Sequence, residues 1–357
     1  MFPSKWQIYK TTSSAWESML KTCSGATISI DMEQYIFKPD NIGQEFLTIL
    51  KRKNREEVKI RLLLDMVGSY DFYVSSMPED LRKEGIEVRF FNIISPWRLH
   101  NISSWFFRDH KKLLVVDKKI GFTGGVGVGD HMREWRDTMG KTEDSTVKEM
   151  TDSFEEIWQN CHFRDWFRRI KKYKAYSKAE FVTNAPYSKK RFLYQSLVEA
   201  FRQAKTLIYI TNPYFIPDRR LVRILRLAVK RGVLVKIILP EKTDVPIVNV
   251  AAQSYFNLLL RSGIRIFKYQ PVVIHTKSTV VDNEWATFGS FNLDSLSFFY
   301  NYEANAVTVD PKCVAEISQH FSDDLKETRE ILLKDWRNRP IIEKIKEFLV
   351  IPIRGFL

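Results

Sequence analysis

The sequence predicts an α/β protein whose folding unit is written twice. Three observations carry that reading: strand–helix–strand patterns recur in the same order in both halves, the strands are apolar and β-branched enough to be buried, and one short motif sits at the same relative place in each half. The 357 residues suffice for two domains at about 150 residues each, divided here into 1–172 and 173–357.

Residues 28–37 form the first predicted strand. A helical pattern follows through Phe46, Leu47, Ile49 and Leu50, and residues 58–65 make the second strand. A further helical segment ends at Gly85, which precedes a short strand over 86–91. The second half repeats the order: a strand over 207–216, a helix through Leu221, Ile224, Leu225 and Val229, and a strand over 233–240. There Gly263 ends the next helical segment and a short strand covers 264–269. Between the halves, the basic run 168–174 reads either as a solvated helix end and linker or as a surface for anionic lipid.

With 44% hydrophobic and 28% charged residues the chain is globular rather than disordered. A formal charge of +13 favours polyanions, and composition alone leaves nucleic acid and anionic lipid headgroups both open. The three cysteines, Cys23, Cys161 and Cys313, are scattered without metal-ligand spacing and read as reduced structural thiols. No uncharged apolar run approaches the ~20 residues of a membrane span, and the amino terminus lacks the apolar stretch of a signal peptide. A lipid-active protein of this composition is expected to work as a peripheral protein from the membrane surface.

The repeated motif carries the chemistry. Its first copy is His110, Lys112, Asp117 and Gly124-Gly125; its second is His275, Lys277, Asp282 and Gly289-Ser290. The apolar run after each lysine should be a buried strand, and extended geometry points residues i and i+2 to the same face. A neutral imidazole can attack phosphorus, and an ammonium two residues on can neutralise phosphoryl oxygens. Gly125 lets the backbone approach a phosphate, and Ser290 adds a hydroxyl donor. A single His-x-Lys would carry little; two copies matched at four positions each argue for a shared active site. The glycine-rich run 124–129 lacks the spacing of a dinucleotide fingerprint and the ending of a P-loop.

This duplicated pattern resembles the phospholipase D superfamily over almost the whole chain. The flanking residues, among them Gln34-Tyr35, Trp135-Arg136-Asp137, Asn212-Pro213-Tyr214 and Phe291-Asn292-Leu293, are similar to those of its bacterial cardiolipin synthase family. The resemblance implies two α/β domains, each a mixed sheet flanked by helices, related by a pseudo-twofold axis with both histidines at the interface. It implies double displacement through a covalent phosphohistidine, with His110 as nucleophile and His275 as acid and base; the residues alone do not order them. Lys112 and Lys277 would hold the phosphate, and Asp137 and Glu303 stand where the family places carboxylates that orient the histidines. No metal and no other cofactor is expected. Asn292 would line the second half-site, where the first has Gly127. Asp117 and Asp282 are expected to brace turns. Glu33 and Asn212, at equivalent strand ends, are further residues within possible reach. The unmatched His100, His131, His162 and His320 read as structural or surface residues.

For the substrate, the aromatic and basic stretch 93–108 suits an interfacial loop better than core packing or single-stranded nucleic acid, so nucleic acid is not the expected partner. The carboxyl-terminal stretch 340–357 reads as a packed terminal helix, with a monotopic anchor as the alternative. The resulting expectation is a phosphatidyltransferase making cardiolipin from phosphatidylglycerol at the cytoplasmic face of the membrane. The alternative is a phospholipase D or nuclease-type phosphodiesterase using water as acceptor. Oligomeric state is not legible.

Overall fold

The structure, a computed structural model, describes residues 6–94, 106–161, 177–178, 180–186, 188 and 191–354. Its first half is built on seven strands: β1 (Gln7–Tyr9), β2 (Ser29–Gln34), β3 (Lys59–Asp65), β4 (Glu87–Phe91), β5 (Leu113–Val116), β6 (Ile120–Gly124) and β7 (Met139–Thr142). They form one sheet in the order β1-β7-β6-β5-β2-β3-β4. The second half contributes nine: β8 (Ser177–Lys178), β9 (Phe181–Asn184), β10 (Leu207–Thr211), β11 (Leu234–Pro240), β12 (Arg265–Tyr269), β13 (Ser278–Val281), β14 (Trp285–Gly289), β15 (Glu303–Thr308) and β16 (Thr328–Ile331). Their order is β16-β12-β11-β10-β13-β14-β15-β9-β8. The central order 7-6-5-2-3-4 therefore recurs as 15-14-13-10-11-12. In each sheet the first three of these strands in the chain are parallel and the rest antiparallel. This is the α/β class and the repeat that the sequence predicts.

Local chemistry explains the matched elements. The helices Asn41–Arg55 and Arg219–Lys230 follow equivalent strands, and each opens with an aspartate cap: Asp40 accepts from the Gly43 N–H, and Asp218 from that of Leu221. Gly85 and Gly263 take φ of +94° and +86° where the chain leaves a helix for β4 and β12, a conformation that costs glycine little. Strands 28–37 and 207–216 of the sequence reading are shorter in the structure, because the chain bends out of the sheets after Gln34 and Thr211.

Side chains of β5 are buried on both faces. Leu114 and Val116 join the core under the first half's outer helices, while Leu113 and Val115 face a shared layer. That shared layer also holds Phe288 and Val280 from the second half, with helices Thr146–Asn160 and Pro311–Lys326 contributing Phe154 and Ile317. The two sheets are thus joined by one apolar core, which fixes their relative position. Two backbone bridges reinforce it. Asp109 pairs in parallel with Tyr302, and Arg136 with Ile274, so the chain just before each His-x-Lys runs beside a segment of the other half.

The proposed division at 172/173, the basic run 168–174 and most of the aromatic stretch 93–108 lie outside the described residues. Cys23, Cys161 and Cys313 are buried free thiols. Among the described residues no helix is long and apolar enough to cross a membrane. At the carboxyl end, helix Ile341–Val350 packs against helix Pro246–Gln253 but buries none of its residues.

Candidate active site

The parallel bridges determine which carboxylate meets which histidine. One residue beyond Asp109↔Tyr302 on each chain stand His110 and Glu303; one residue beyond Ile274↔Arg136 stand His275 and Asp137. The His110 Nδ1 is 3.0 Å from both Glu303 oxygens, and the His275 Nδ1 is 2.7 Å from Asp137 Oδ2. Each histidine is therefore braced by the opposite half of the chain. With Nδ1–H donated to a carboxylate, Nε2 is left as the nitrogen with a lone pair. Both rings line one cavity of about 710 Å³, a size suited to a small-molecule or headgroup site.

The lysines repeat the symmetry. Lys112 Nζ donates to the His110 carbonyl at 2.6 Å, and Lys277 Nζ to the His275 carbonyl at 2.7 Å. Lys277 Nζ also stands 2.7 Å from His275 Nε2, which makes that nitrogen an acceptor in the resting state. Burial lowers the pKa of all four groups because it penalises their charged forms: His110 to about 4, Lys112 to about 7, Lys277 to about 8, and His275 downward. Burial acts the other way on Glu303 and Asp137, but His110 and His275 hold the two carboxyls below their ordinary values. The site thus presents neutral imidazoles, ionised carboxylates and two ammonium groups whose charge an incoming anion would stabilise.

The two carboxylates are held differently. Glu303 accepts from the hydroxyls of Ser290 and Ser297 as well as from His110, with the Asn301 amide 3.4 Å away. Ser290 was expected to contact phosphate; its fully buried hydroxyl instead donates to Glu303. Asp137 receives the Thr138 N–H at 2.7 Å and lies against Gly125, where a Cβ would come within 2.2 Å of Asp137 Oδ1. Gly125 therefore admits that carboxylate, and it also lines the cavity with Asn292 and Gly127.

Asp117 and Asp282 lie away from the cavity. Asp117 accepts from the N–H groups of Thr27, Ile28 and Ser29, and Asp282 from those of Lys205, Thr206 and Leu207. Each ties the turn after its motif strand to the start of the neighbouring strand. Glu33 and Asn212 do not line the cavity: Glu33 pairs with the buried Lys111 at 2.6 Å, and the Asn212 side chain accepts from the Tyr214 and Leu293 N–H groups.

Sequence reasoning missed several wall residues. Tyr35 meets the His110 ring edge-on at 4.9 Å, and Trp135 and Tyr214 pack near His275. His131, read as structural or surface, lines the cavity and meets Trp135 edge-on. Asp294 also lines it, with burial raising its pKa to about 7. Tyr35 and Tyr214 follow equivalent strands β2 and β10 and stand in stretches already noted as similar to the family, signals in the sequence that could have marked them. Among the described residues, no three His, Cys, Asp or Glu side chains are grouped as a metal site requires.

Comparison with known proteins gives the family and the fold. A family model described as "Cardiolipin synthase, PLD-like domain" matches residues 19–158 and 197–325. The chain is 33% identical over 352 residues to cardiolipin synthase 1 of Bacillus cereus, covering 93% of this chain and 68% of that protein. It is 30% identical over 361 residues to a cardiolipin synthase of Clostridium perfringens, covering 96% and 75%. Among solved structures, phosphatidylserine synthase of Haemophilus influenzae superposes with a TM-score of 0.78 at 13% identity, over 100% of this chain and 97% of that one, a likeness of fold.

Proposed function

The chain belongs to the cardiolipin synthase family of phospholipase D-type phosphatidyltransferases, and we propose that it joins two phosphatidylglycerol molecules into cardiolipin and glycerol through a phosphohistidine. The observation that carries this reading is the crossed pair of dyads, His110 with Glu303 and His275 with Asp137, opening on one cavity with a lysine beside each. One cavity with two activated imidazoles suits two successive displacements at one phosphorus.

In the first step the His110 Nε2 lone pair attacks phosphorus and the bond to the glycerol headgroup oxygen breaks. His275, which takes up a proton from solvent as the anionic phosphodiester enters, supplies it to the departing glycerol. The anionic phosphodiester raises the proton affinity of His275 on entering, which offsets the lowering caused by burial. Lys112 and Lys277 stabilise the equatorial oxygens as charge builds there. In the second step His275 takes the proton from a glycerol hydroxyl of the second phosphatidylglycerol. That oxygen attacks phosphorus, the phosphorus–nitrogen bond breaks, and His110 is regenerated. Glu303 and Asp137 hold the rings and stabilise the positive charge each acquires in turn. Asn292 and Gly125, on the cavity wall, are the remaining groups assigned to the phosphate. The protein does this as a peripheral enzyme at the cytoplasmic face of the membrane, its first domain spanning residues 1–172 and its second 173–357.

The test is incubation with phosphatidylglycerol vesicles and mass analysis of the lipids, with His110→Ala as control. Cardiolipin with glycerol, absent in the variant, is the expected result. Phosphatidic acid without cardiolipin would replace the transferase with a hydrolase.

A further inference from the structure

Helix Ile341–Val350 is amphipathic, with Ile341, Ile345 and Phe348 along one face and Ile342 and Leu349 beside them. A helix of this kind normally turns its apolar stripe inward. Here the stripe is turned out: Ile341 is 75% exposed, Phe348 72%, Leu349 67% and Ile345 47%. The helix is nonetheless held in place. Glu347 ion-pairs with Arg339, Lys344 Nζ donates to the Arg337 carbonyl, and the guanidinium of Arg354 lies 4.6 Å from the centre of the Tyr255 ring. Glu347 and Val350 are its less exposed positions, so a polar edge is anchored and the apolar face is left uncovered.

Its neighbour explains the orientation. The helix packs against helix Pro246–Gln253, whose Val248, with the preceding Val245, lines the catalytic cavity. Ile247 on that same helix is 43% exposed. Val67 and Phe106 also line the cavity and are 40% and 54% exposed, and Tyr70 and Val74, close to Val67 in the chain, are exposed as well. Exposed apolar side chains from both halves of the chain therefore stand at the cavity wall, and the terminal helix packs on the helix that carries those of the second half. The segment is basic on balance, with six lysines and arginines over residues 333–354 against Asp335, Glu343 and Glu347, and the whole chain carries +13.

We propose that the outward face of helix Ile341–Val350, which packs on the helix bearing the cavity-lining Val248, is the surface by which the protein docks on an anionic phospholipid bilayer. Apolar side chains enter the headgroup–acyl boundary while the flanking cations meet lipid phosphates. The cavity mouth then faces the bilayer, and a lipid reaches His110 without crossing water with its acyl chains exposed. This rests on the phospholipid reading of the active site and names the surface that serves it. A second copy of the chain is the competing occupant. The basic balance of the flank and the packing beside the cavity-lining helix favour lipid.

The test compares the full chain with Phe348→Ser/Leu349→Ser, both positions being exposed and outside the catalytic machinery. Sedimentation with phosphatidylglycerol-containing vesicles should show partition falling about tenfold or more, the scale expected from removing two large apolar insertions. Turnover of vesicle lipid should fall with it, while turnover of monomeric short-chain phosphatidylglycerol stays unchanged. Unchanged vesicle partition would overturn the proposal. Loss of a dimer in light scattering with partition intact would assign the face to a second copy instead. If the unsubstituted protein turns over neither lipid, the enzymatic reading fails, but vesicle partition still decides the docking surface.

Discussion

The crossed pairing makes a prediction that a pairing within each half would not. Asp137 belongs to the first half of the chain, yet its carboxylate is 2.7 Å from Nδ1 of His275 in the second, and both are buried. Asp137→Asn keeps the volume and removes the charge. A hydrogen bond to a charged partner contributes about 1.5–3 kcal/mol, and a charge pair at about 4 Å and an effective dielectric of about 20 contributes about 4 kcal/mol. Only the part that stabilises the imidazolium in the transition state affects the rate, so about 2–4 kcal/mol should be lost, or about 30- to 1,000-fold in kcat. Asp137 also raises the proton affinity of His275 against the lowering by burial and Lys277, so its replacement should push the His275 pKa further down. The assay is glycerol release from short-chain phosphatidylglycerol, with Tm as a check on folding. Nitrogen NMR of labelled histidine provides the spatial readout: the His275 ring resonances should move and those of His110 should not. A rate within about threefold of the parent, at unchanged Tm, would refute the energetic argument. Movement of His110 instead would refute the crossed geometry.

Three further outcomes follow from the same structure. Gly125→Ala places a Cβ 2.2 Å from Asp137 Oδ1, so it should reproduce the kinetic defect of Asp137→Asn, and combining the two should cost little more than either alone. On pH, His110 at about 4 remains neutral over most of the working range, whereas Lys112 at about 7 and Lys277 at about 8 lose their protons as pH rises. The kcat/KM for monomeric substrate should therefore fall on the alkaline side, and Lys112→Arg, which keeps its charge, should move that limb upward; an unmoved limb would remove Lys112 from phosphate binding. Asp117→Ala removes an acceptor of three backbone N–H groups at φ +54°, which should cost about 1–3 kcal/mol of stability, read as a lower Tm with kcat of the folded fraction unchanged. The Asp117 carboxyl is held below its ordinary 3.8, so its stabilisation is complete above that pH and fades as pH falls below it; the Tm gap between the variant and its parent should narrow there.

Much of this protein could be read from the sequence because the relevant signals are local. Strand and helix periods, the glycines at Gly85 and Gly263, and the two His-x-Lys copies each depend on a few neighbouring residues, and they sufficed for the α/β class, the repeat and the family. Strand alternation also places Leu113 and Leu114 on opposite faces before any packing is known. What the tertiary structure decided involves residues far apart in the chain. Glu303 lies 193 residues from His110, and only the register of the Asp109↔Tyr302 bridge brings them within 3.0 Å. Ser290 sits where a phosphate donor was expected, but the fold aims its hydroxyl at Glu303. His131 has no matched partner in the sequence, yet the chain's path beside Trp135 brings it to the cavity wall. The terminal helix has the pattern of one that packs inward, and its outward rotation is set by the Arg339–Glu347 pair and the contact with helix Pro246–Gln253. Periodicity tells which residues share a face; which way that face turns is settled by packing against elements that are distant in sequence.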